Sequence, residues 1–186
     1  FILGGSNTDI IEYITFSTTG NVTDWGDLIS SKRDSGSCSN GITGLMASGH
    51  TDGTNYSPQI DYFDMQKSSG SGADFGDVTV GRNYLTGVSS EERGIFAGGK
   101  TASSGGVDTI DYITISTTGN ASDFGDLDEA RRALNGSSNK TRAVMAGGHA
   151  LNNIDYITMD TTGNATDFGN TTGSGRGYHS SCANET

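Results

Sequence analysis

The side chains that could do chemistry in this 186-residue chain are grouped in short polar segments that follow glycine pairs. Two of these segments are long, at residues 50–58 and 100–108, and two are short, at residues 6–9 and 149–152. They offer imidazole, carboxylate, amide, phenol and ammonium groups, which suit hydrogen bonding to a polar ligand. The candidate binding residues are His50, Asp52, Asn55, Tyr56, Lys100, Asp108, His149 and Asn152.

A metal centre is the first chemistry to weigh, because His50 and His149 each directly follow a glycine pair. Zinc needs three or four converging ligands, and these two histidines lie two sequence repeats apart, so we expect exposed loop histidines. Aspartates that recur beside turns could bind calcium, but hydrogen bonds to nearby turn amides explain their recurrence more simply. They are Asp24, Asp74, Asp123 and Asp167. We therefore expect no metal and no cofactor.

Composition excludes several classes of function. The formal net charge is −11, with 22 acidic against 11 basic residues, and such a surface repels phosphate backbones, so we expect no nucleic-acid partner. No apolar run approaches the roughly 18 residues of a membrane span, so we expect no membrane insertion. No nucleophile–base pair, phosphate loop or pair of catalytic carboxylates stands out, which predicts a protein that is not an enzyme.

Internal repeats must position the polar segments. A glycine pair, or its Ser48-Gly49 variant, ends an apolar run in each repeat, at Gly4-Gly5, Gly98-Gly99 and Gly147-Gly148. The landmarks that follow are Tyr13, Tyr62, Tyr112 and Tyr156, then Trp25, Phe75, Phe124 and Phe168, then Arg33, Arg82, Arg132 and Arg176. Successive tyrosines are 49, 50 and 44 residues apart. We expect the glycine pairs to allow close contact between units, and the aromatic residues to fill the core between them.

Each repeat is predicted to contain four short strands. In the last repeat these are residues 134–138, 142–148, 153–160 and 166–169, separated by turn-forming residues. Four strands in roughly 45–50 residues are typical of a propeller blade, which buries both faces only by stacking on its neighbours. The chain is predicted to be one domain, with repeats at about 1–29, 30–79, 80–128 and 129–171 and a closing strand at 172–186.

The order of arginine, apolar–Gly-Gly, tyrosine and Trp/Phe resembles the kelch motif over nearly the whole chain. Two departures are that tryptophan occurs only at Trp25 and that the second pair is Ser48-Gly49. The resemblance implies an all-β fold, a kelch-like β-propeller of four blades with four antiparallel strands each.

The two ends of the chain predict how the ring closes. Residues 1–5 read as the second strand of a blade, and residues 177–183 read as the first. We expect the N-terminal strand b to pair with the C-terminal strand a and to close a four-bladed ring; the alternative is a fragment of a larger propeller. Cys38 and Cys182 would then lie in neighbouring blades, as buried free thiols or, less simply, as a disulfide.

Length differences between repeats fall in one connection. From the second glycine of the pair to the tyrosine is 8 residues in the first and last repeats and 13 in the middle two. Insertions confined to one face of a repeat array often mark its binding face. This face, between the second and third strands, carries the candidate binding residues named above.

Two nearly identical segments, at residues 117–125 and 161–169, read Thr-Thr-Gly-Asn-Ala followed by Asp-Phe-Gly. They resemble repeats in tail-fibre-like proteins of marine bacteriophages. The resemblance implies a virion or extracellular location, other virion proteins as partners, and non-catalytic recognition of a host-surface glycan or protein. The alternatives are a glycan-active propeller enzyme of sialidase or lyase type, and a kelch adaptor for protein–protein interaction.

Overall fold

The computed structural model describes residues 1–5, 8–51, 55–173, 175–178 and 180–181, and its regular structure is entirely β-strand, as expected. The described residues contain no helix with the length and apolar character of a membrane span. The strands are β1 (Ile2–Gly5), β2 (Thr8–Tyr13), β3 (Thr23–Asp27), β4 (Gly36–Ser39), β5 (Thr43–Ala47), β6 (His50–Thr51), β7 (Asn55–Tyr56), β8 (Gln59–Asp64), β9 (Gly70–Ser71), β10 (Ala73–Asp77), β11 (Thr86–Ser89), β12 (Arg93–Ala97), β13 (Val107–Thr114), β14 (Ser122–Arg131), β15 (Asn135–Ser138), β16 (Arg142–Ala146), β17 (Asn153–Thr158) and β18 (Thr166–Asn170).

The strands form four four-stranded sheets and one small hairpin, β6–β7. The sheets have the orders β1-β2-β3-β9, β4-β5-β8-β10, β11-β12-β13-β14 and β15-β16-β17-β18. Within each repeat we call the strands a to d in chain order, so that strands a are β4, β11 and β15 and strands d are β3, β10, β14 and β18. Successive strands are antiparallel; the parallel pair is β3 with β9, a short strand that the second repeat adds to the first sheet.

Antiparallel order divides the connections between two faces. The a–b and c–d turns lie at one end of every sheet, which we call the turn face. The b–c and d–a connections lie at the other end, which we call the loop face. At the turn face, Asn40 Oδ1 accepts hydrogen bonds from the backbone N–H groups of Ile42 and Thr43, and Ser90 and Asn139 do the same in their repeats. These side chains specify tight turns.

Strands a lie side by side. Ser89 Oγ donates to Ser39 O at 2.7 Å, and Ser138 Oγ donates to Ser89 O at 2.8 Å, so a hydroxyl joins each strand a to the next. Ser181 continues this row, since its Oγ donates to Gly136 O at 2.6 Å. The row therefore has four members, contributed by three repeats and the C-terminal segment.

Closure of the ring is not seen among the described residues. Strand β1 pairs with β2, and its other edge has no strand partner in the described part of the chain. Residues 172–173, 175–178 and 180–181 carry no strand. The remaining residues of the closing strand predicted at 172–186, including Cys182, lie outside the described residues. Cys38 is half-buried between strands a, and burial raises the pKa of its thiol to about 12.

Each pair of neighbouring sheets is joined by one apolar cluster. The aromatic residue of a strand d packs against apolar residues that follow the tyrosine on strand c of the next repeat. The pairings are Trp25 with Phe63, Phe75 with Ile113 and Ile115, and Phe124 with Ile157 and Met159. The core therefore lies between the sheets, as a series of junctions.

A glycine after each aromatic residue lets the next repeat approach closely. Gly125 has φ of 143°, and a Cβ there would collide with the carbonyl oxygen of Gly163 in the c–d turn of the following repeat. That turn is fastened by a 2.7 Å hydrogen bond from Gly163 N to Phe124 O. Gly169 occupies the same position in the last repeat, where a Cβ would meet nothing within 4 Å.

Comparison of two glycine variants isolates this contact. Both Gly125→Ala and Gly169→Ala place a side chain at positive φ, which costs about 1–3 kcal/mol. Only Gly125→Ala also forces the neighbouring turn away, at an expected further cost of about 1–3 kcal/mol. Urea unfolding in dilute solution should give the lower midpoint for Gly125→Ala. Equal midpoints would contradict the close approach.

Three buried ion pairs repeat with the sheets. Lys32 Nζ lies 2.7 Å from Asp61 Oδ1, Arg82 Nη1 lies 2.7 Å from Asp111 Oδ2, and Arg131 Nη2 lies 2.8 Å from Asp155 Oδ2. All six side chains are fully buried. Lys32 and Arg82 lie in d–a connections and Arg131 is the last residue of β14, and each cation pairs with strand c of the sheet that follows it in the chain.

The ion pairs correct the arginine landmark. The repeating cation is Lys32, Arg82, Arg131 and Arg176; the choice of Arg33 and Arg132 was wrong by one residue. Arg33 and Arg132 are only half-buried and belong to the loop face. The aspartates of the Ile-Asp-Tyr segments are the partners, and they also accept backbone N–H groups, such as Ile29 N to Asp61 Oδ2.

Removal of one carboxylate should expose the dependence on these pairs. Asp111→Ala leaves the Arg82 guanidinium buried without its counter-charge, and we expect a loss of about 3–5 kcal/mol in the free energy of unfolding. Asp108→Ala, on the same strand but exposed, should change it by less than about 0.5 kcal/mol. Urea unfolding measures both, and similar losses would argue against a structural ion pair.

Candidate functional site

The predicted binding residues that the structure describes all belong to b–c connections, and thus to the loop face. His50 is in β6, Asn55 and Tyr56 are in β7, and Asp108 is near the start of β13. Asn55, Asp108 and His149 are exposed, whereas Tyr56, Lys100 and Asn152 are half-buried. Asp52 lies outside the described residues.

One residue per repeat fastens the b–c connection to the d–a connection. His50 N donates to Arg33 O at 2.9 Å, Lys100 N donates to Asn83 O at 2.7 Å, and His149 N donates to Arg132 O at 2.8 Å. The two histidines are therefore equivalent, with Lys100 between them. In the part of the chain that is described, no group of three or more His, Cys, Asp or Glu residues is arranged to hold a metal ion.

The His50 side chain is held on several sides. Its ring packs edge-on against Tyr56, with centroids 4.6 Å apart. Its Nδ1 lies 3.1 Å from Asn83 Nδ2 and 3.7 Å from Asp34 Oδ2. Arg33 Nε lies 3.9 Å from the same Asp34 oxygen. One face of the polar segment at residues 50–58 is thus formed by the His50–Tyr56 ring contact, and Asp34 is a centre of polar contacts.

Sequence reasoning missed a second row on the loop face, made of Asp34, Tyr84, Ala133 and Tyr178. Each lies two residues after the buried cation or its equivalent, and all four have positive φ, between 55° and 61°. Hydrogen bonds from Tyr84 N to Asp34 O, Ala133 N to Tyr84 O and Tyr178 N to Ala133 O join them. The displaced arginine landmark hid this period, which the correct cation positions would have revealed.

The two tyrosines of this row meet over the alanine between them. Their rings are perpendicular, with centroids 5.6 Å apart, and Tyr178 is 67% exposed. Burial, together with the nearby Asp34 and Tyr178, raises the pKa of the Tyr84 phenol. An aromatic pair, a carboxylate and a guanidinium from Arg33 thus share one accessible surface, which we call the mouth.

The mouth leads to a cavity between strands a. This cavity has a volume of about 320 Å³ and begins one residue further along each strand. Its walls are serine hydroxyls, glycine backbone and a few apolar atoms, contributed by residues 35–37, 85–87, 134–136 and 180–181. It is a polar cavity that water or ligand hydroxyl groups suit.

A larger cavity, about 640 Å³, lies at the turn face among the a–b turns. Its polar side chains are already engaged: Asn40, Ser90 and Asn139 accept hydrogen bonds within their own turns. Lys140 Nζ lies 2.6 Å from Glu91 Oε1 in an exposed ion pair. Because these groups have structural partners, we favour the smaller loop-face cavity and its mouth as the candidate site.

Comparison with known proteins adds no relative. No protein-family model matches the chain, and no curated protein sequence matches it significantly. The case for function therefore depends on the loop-face side chains and on the repeat architecture.

The contact between Asp34 and Tyr84 can be tested by titration. Asp34→Asn removes a negative charge that opposes formation of the tyrosinate, so the pKa of Tyr84 should fall while burial keeps it above its ordinary value. NMR of the tyrosine ring carbons as a function of pH measures this change. Asp108→Asn should leave the titration unchanged, and an unchanged titration in Asp34→Asn would show that the carboxylate is elsewhere.

Proposed function

We propose that this chain is a kelch-like β-propeller module that binds a host-surface glycan without catalysis, as a component of a bacteriophage tail fibre or a similar virion assembly. The sheets are its blades and strands a surround its axis. The repeat of sheet order, junction clusters and buried ion pairs supports this arrangement, because propeller blades are repeated four-stranded sheets packed face to face.

The observation that supports a glycan as the ligand is the pairing of Tyr84 and Tyr178 beside Asp34, at the mouth. Sugars offer apolar C–H faces that pack on aromatic rings and hydroxyl groups that donate to carboxylates. Tyrosine combines an apolar ring with a polar end, and charged partners make the stronger hydrogen bonds. The net charge of −11 disfavours a polyanionic ligand, so the proposed ligand is a neutral glycan.

A catalytic role is the weaker alternative. Most glycoside hydrolases need two carboxyl groups about 5–9.5 Å apart. No pair of catalytic carboxylates stands out in the sequence, and the described contacts of Asp34 are with Arg33, His50 and Tyr84. The virion assignment depends on the resemblance of residues 117–125 and 161–169 to phage tail-fibre repeats.

Blade number is also a proposal. The sequence favoured a four-bladed ring closed within the chain and left a larger propeller as the alternative. Phe16 is 97% exposed and Phe168 is 58% exposed, whereas Ile115 and Met159, equivalent to Phe16, and Phe75 and Phe124, equivalent to Phe168, are buried. These open surfaces favour an arc of four blades within a larger ring.

Binding to a glycan array of neutral bacterial-surface polysaccharides tests the ligand class. The double variant Tyr84→Ala/Tyr178→Ala should weaken binding at least about tenfold, equivalent to about 1.4 kcal/mol. Ile42→Ala, an exposed position on the turn face, should bind as the parent does. Unchanged binding by the double variant would move the site elsewhere. A folded parent that binds no glycan would refute the proposal, and turnover of the glycan would favour the enzyme.

A further inference from the structure

The first and fourth repeats each expose apolar residues, Ile14 and Phe168, whose equivalents at the internal junctions are buried. We define the first-repeat face by Glu12, Ile14, Phe16, Gly20 and Val22. We define the fourth-repeat face by Phe168, Gly169, Asn170 and Arg176. Each residue of the two faces except Arg176 has equivalents at the same distance from its repeat's tyrosine or aromatic residue. Arg176 is one residue further along, and its equivalence to Arg131 follows from the matching hydrogen bonds Gly148 N to Arg176 O and Gly99 N to Arg131 O.

The apolar parts of the two faces are complementary halves of one cluster. Ile14 is equivalent to Ile113 and Ile157, which are buried against Phe75 and Phe124 of the preceding repeats. Ile14 itself is 43% exposed. Phe168 is equivalent to Phe75 and Phe124, yet no c–d turn of the described residues covers it. The first-repeat face therefore offers the apolar side chains, and the fourth-repeat face offers the aromatic ring, that pack together at each internal junction.

Backbone groups match in the same way. At the third junction, Gly163 N donates to Phe124 O at 2.7 Å and Ala165 N donates to Asp126 O at 2.7 Å. The equivalent donors in the first repeat are the N–H groups of Gly20 and Val22. The equivalent acceptors in the fourth repeat are the carbonyl groups of Phe168 and Asn170. A glycine, Gly169, provides the space that a covering turn needs.

Charge completes the match. Glu12 occupies the position of Asp61, Asp111 and Asp155, and Arg176 occupies the position of their cations. No ion pair of either residue is found among the described residues, and Arg176 is exposed. A fourth ion pair of the kind seen inside the chain would thus join Glu12 to Arg176.

We infer that the fourth-repeat face binds the first-repeat face of a second copy of this chain, head to tail. A second copy supplies this first-repeat face, and within the described residues no apolar cluster or ion pair joins the two faces of one molecule. Head-to-tail contacts close into rings where the rotation allows and otherwise grow as open assemblies. The inference depends on the proposed blade arrangement and is independent of the glycan.

Light scattering coupled to size-exclusion chromatography, from micromolar to several hundred micromolar chain and without glycan, tests the inference. We expect a mass of two or more chains at the higher concentrations. Gly169→Ala, Glu12→Arg and Arg176→Glu should each weaken association at least about tenfold, with monomer unfolding by urea as the check that they fold. Ile42→Ala, on the turn face, is the matched control and should associate as the parent does.

Mixing distinguishes a second copy from closure within one chain. The Glu12→Arg chain and the Arg176→Glu chain should each stay monomeric alone, because like charges would meet at positions 12 and 176. They should associate with each other, because every contact between the two variants then brings opposite charges together. A parent that is monomeric at every concentration overturns the inference. A second contradicting result would be that each single variant is less stable as a monomer and that the double variant Glu12→Arg/Arg176→Glu regains this stability. That result would show that the two residues pair within one chain. Either result leaves the glycan assay unaffected.

Discussion

The fold depends on one contact, the c–d turn of each repeat lying over the strand-d aromatic residue of the repeat before it. A four-stranded sheet has two faces to cover and too little volume to cover either alone. Phe75 and Phe124 are covered by apolar residues of the next repeat, and Gly119 and Gly163 fasten that repeat's turn to them with hydrogen bonds to their carbonyl oxygens. Cooperativity between repeats follows, since loss of one turn exposes the aromatic residue of its neighbour.

The buried ion pairs fix how the connections between repeats lie against the packed sheets. A cation such as Arg82 binds Asp111 and also donates to Phe96 O, so it fixes the d–a connection against strands b and c of the same repeat. Buried pairs contribute little net stability compared with apolar residues. Their value here is geometric, because the residue two positions after each cation is the one that reaches the mouth.

The sequence was sufficient to predict the strands, but it did not identify the buried cation of each repeat or decide whether the ring closes. The strands of the last repeat begin and end within two residues of their predicted limits, because alternation and turn residues are local signals. The cation landmark was wrong because Lys32-Arg33 and Arg131-Arg132 are adjacent basic pairs, and only burial tells which member of each pair faces the core. Ring closure depends on the rotation between repeats, which no local pattern encodes.

The positive φ of the mouth row has a consequence for engineering. Glycine would adopt this conformation with least strain, yet Asp34, Tyr84, Ala133 and Tyr178 all have side chains there. Aspartate, tyrosine and alanine thus share one backbone conformation at these four positions, so the side chain varies from repeat to repeat while the backbone does not. A combinatorial library at Asp34, Tyr84 and Tyr178 that leaves out β-branched residues would therefore be a compact starting point for retargeting the module, whereas the buried Ala133 would be kept.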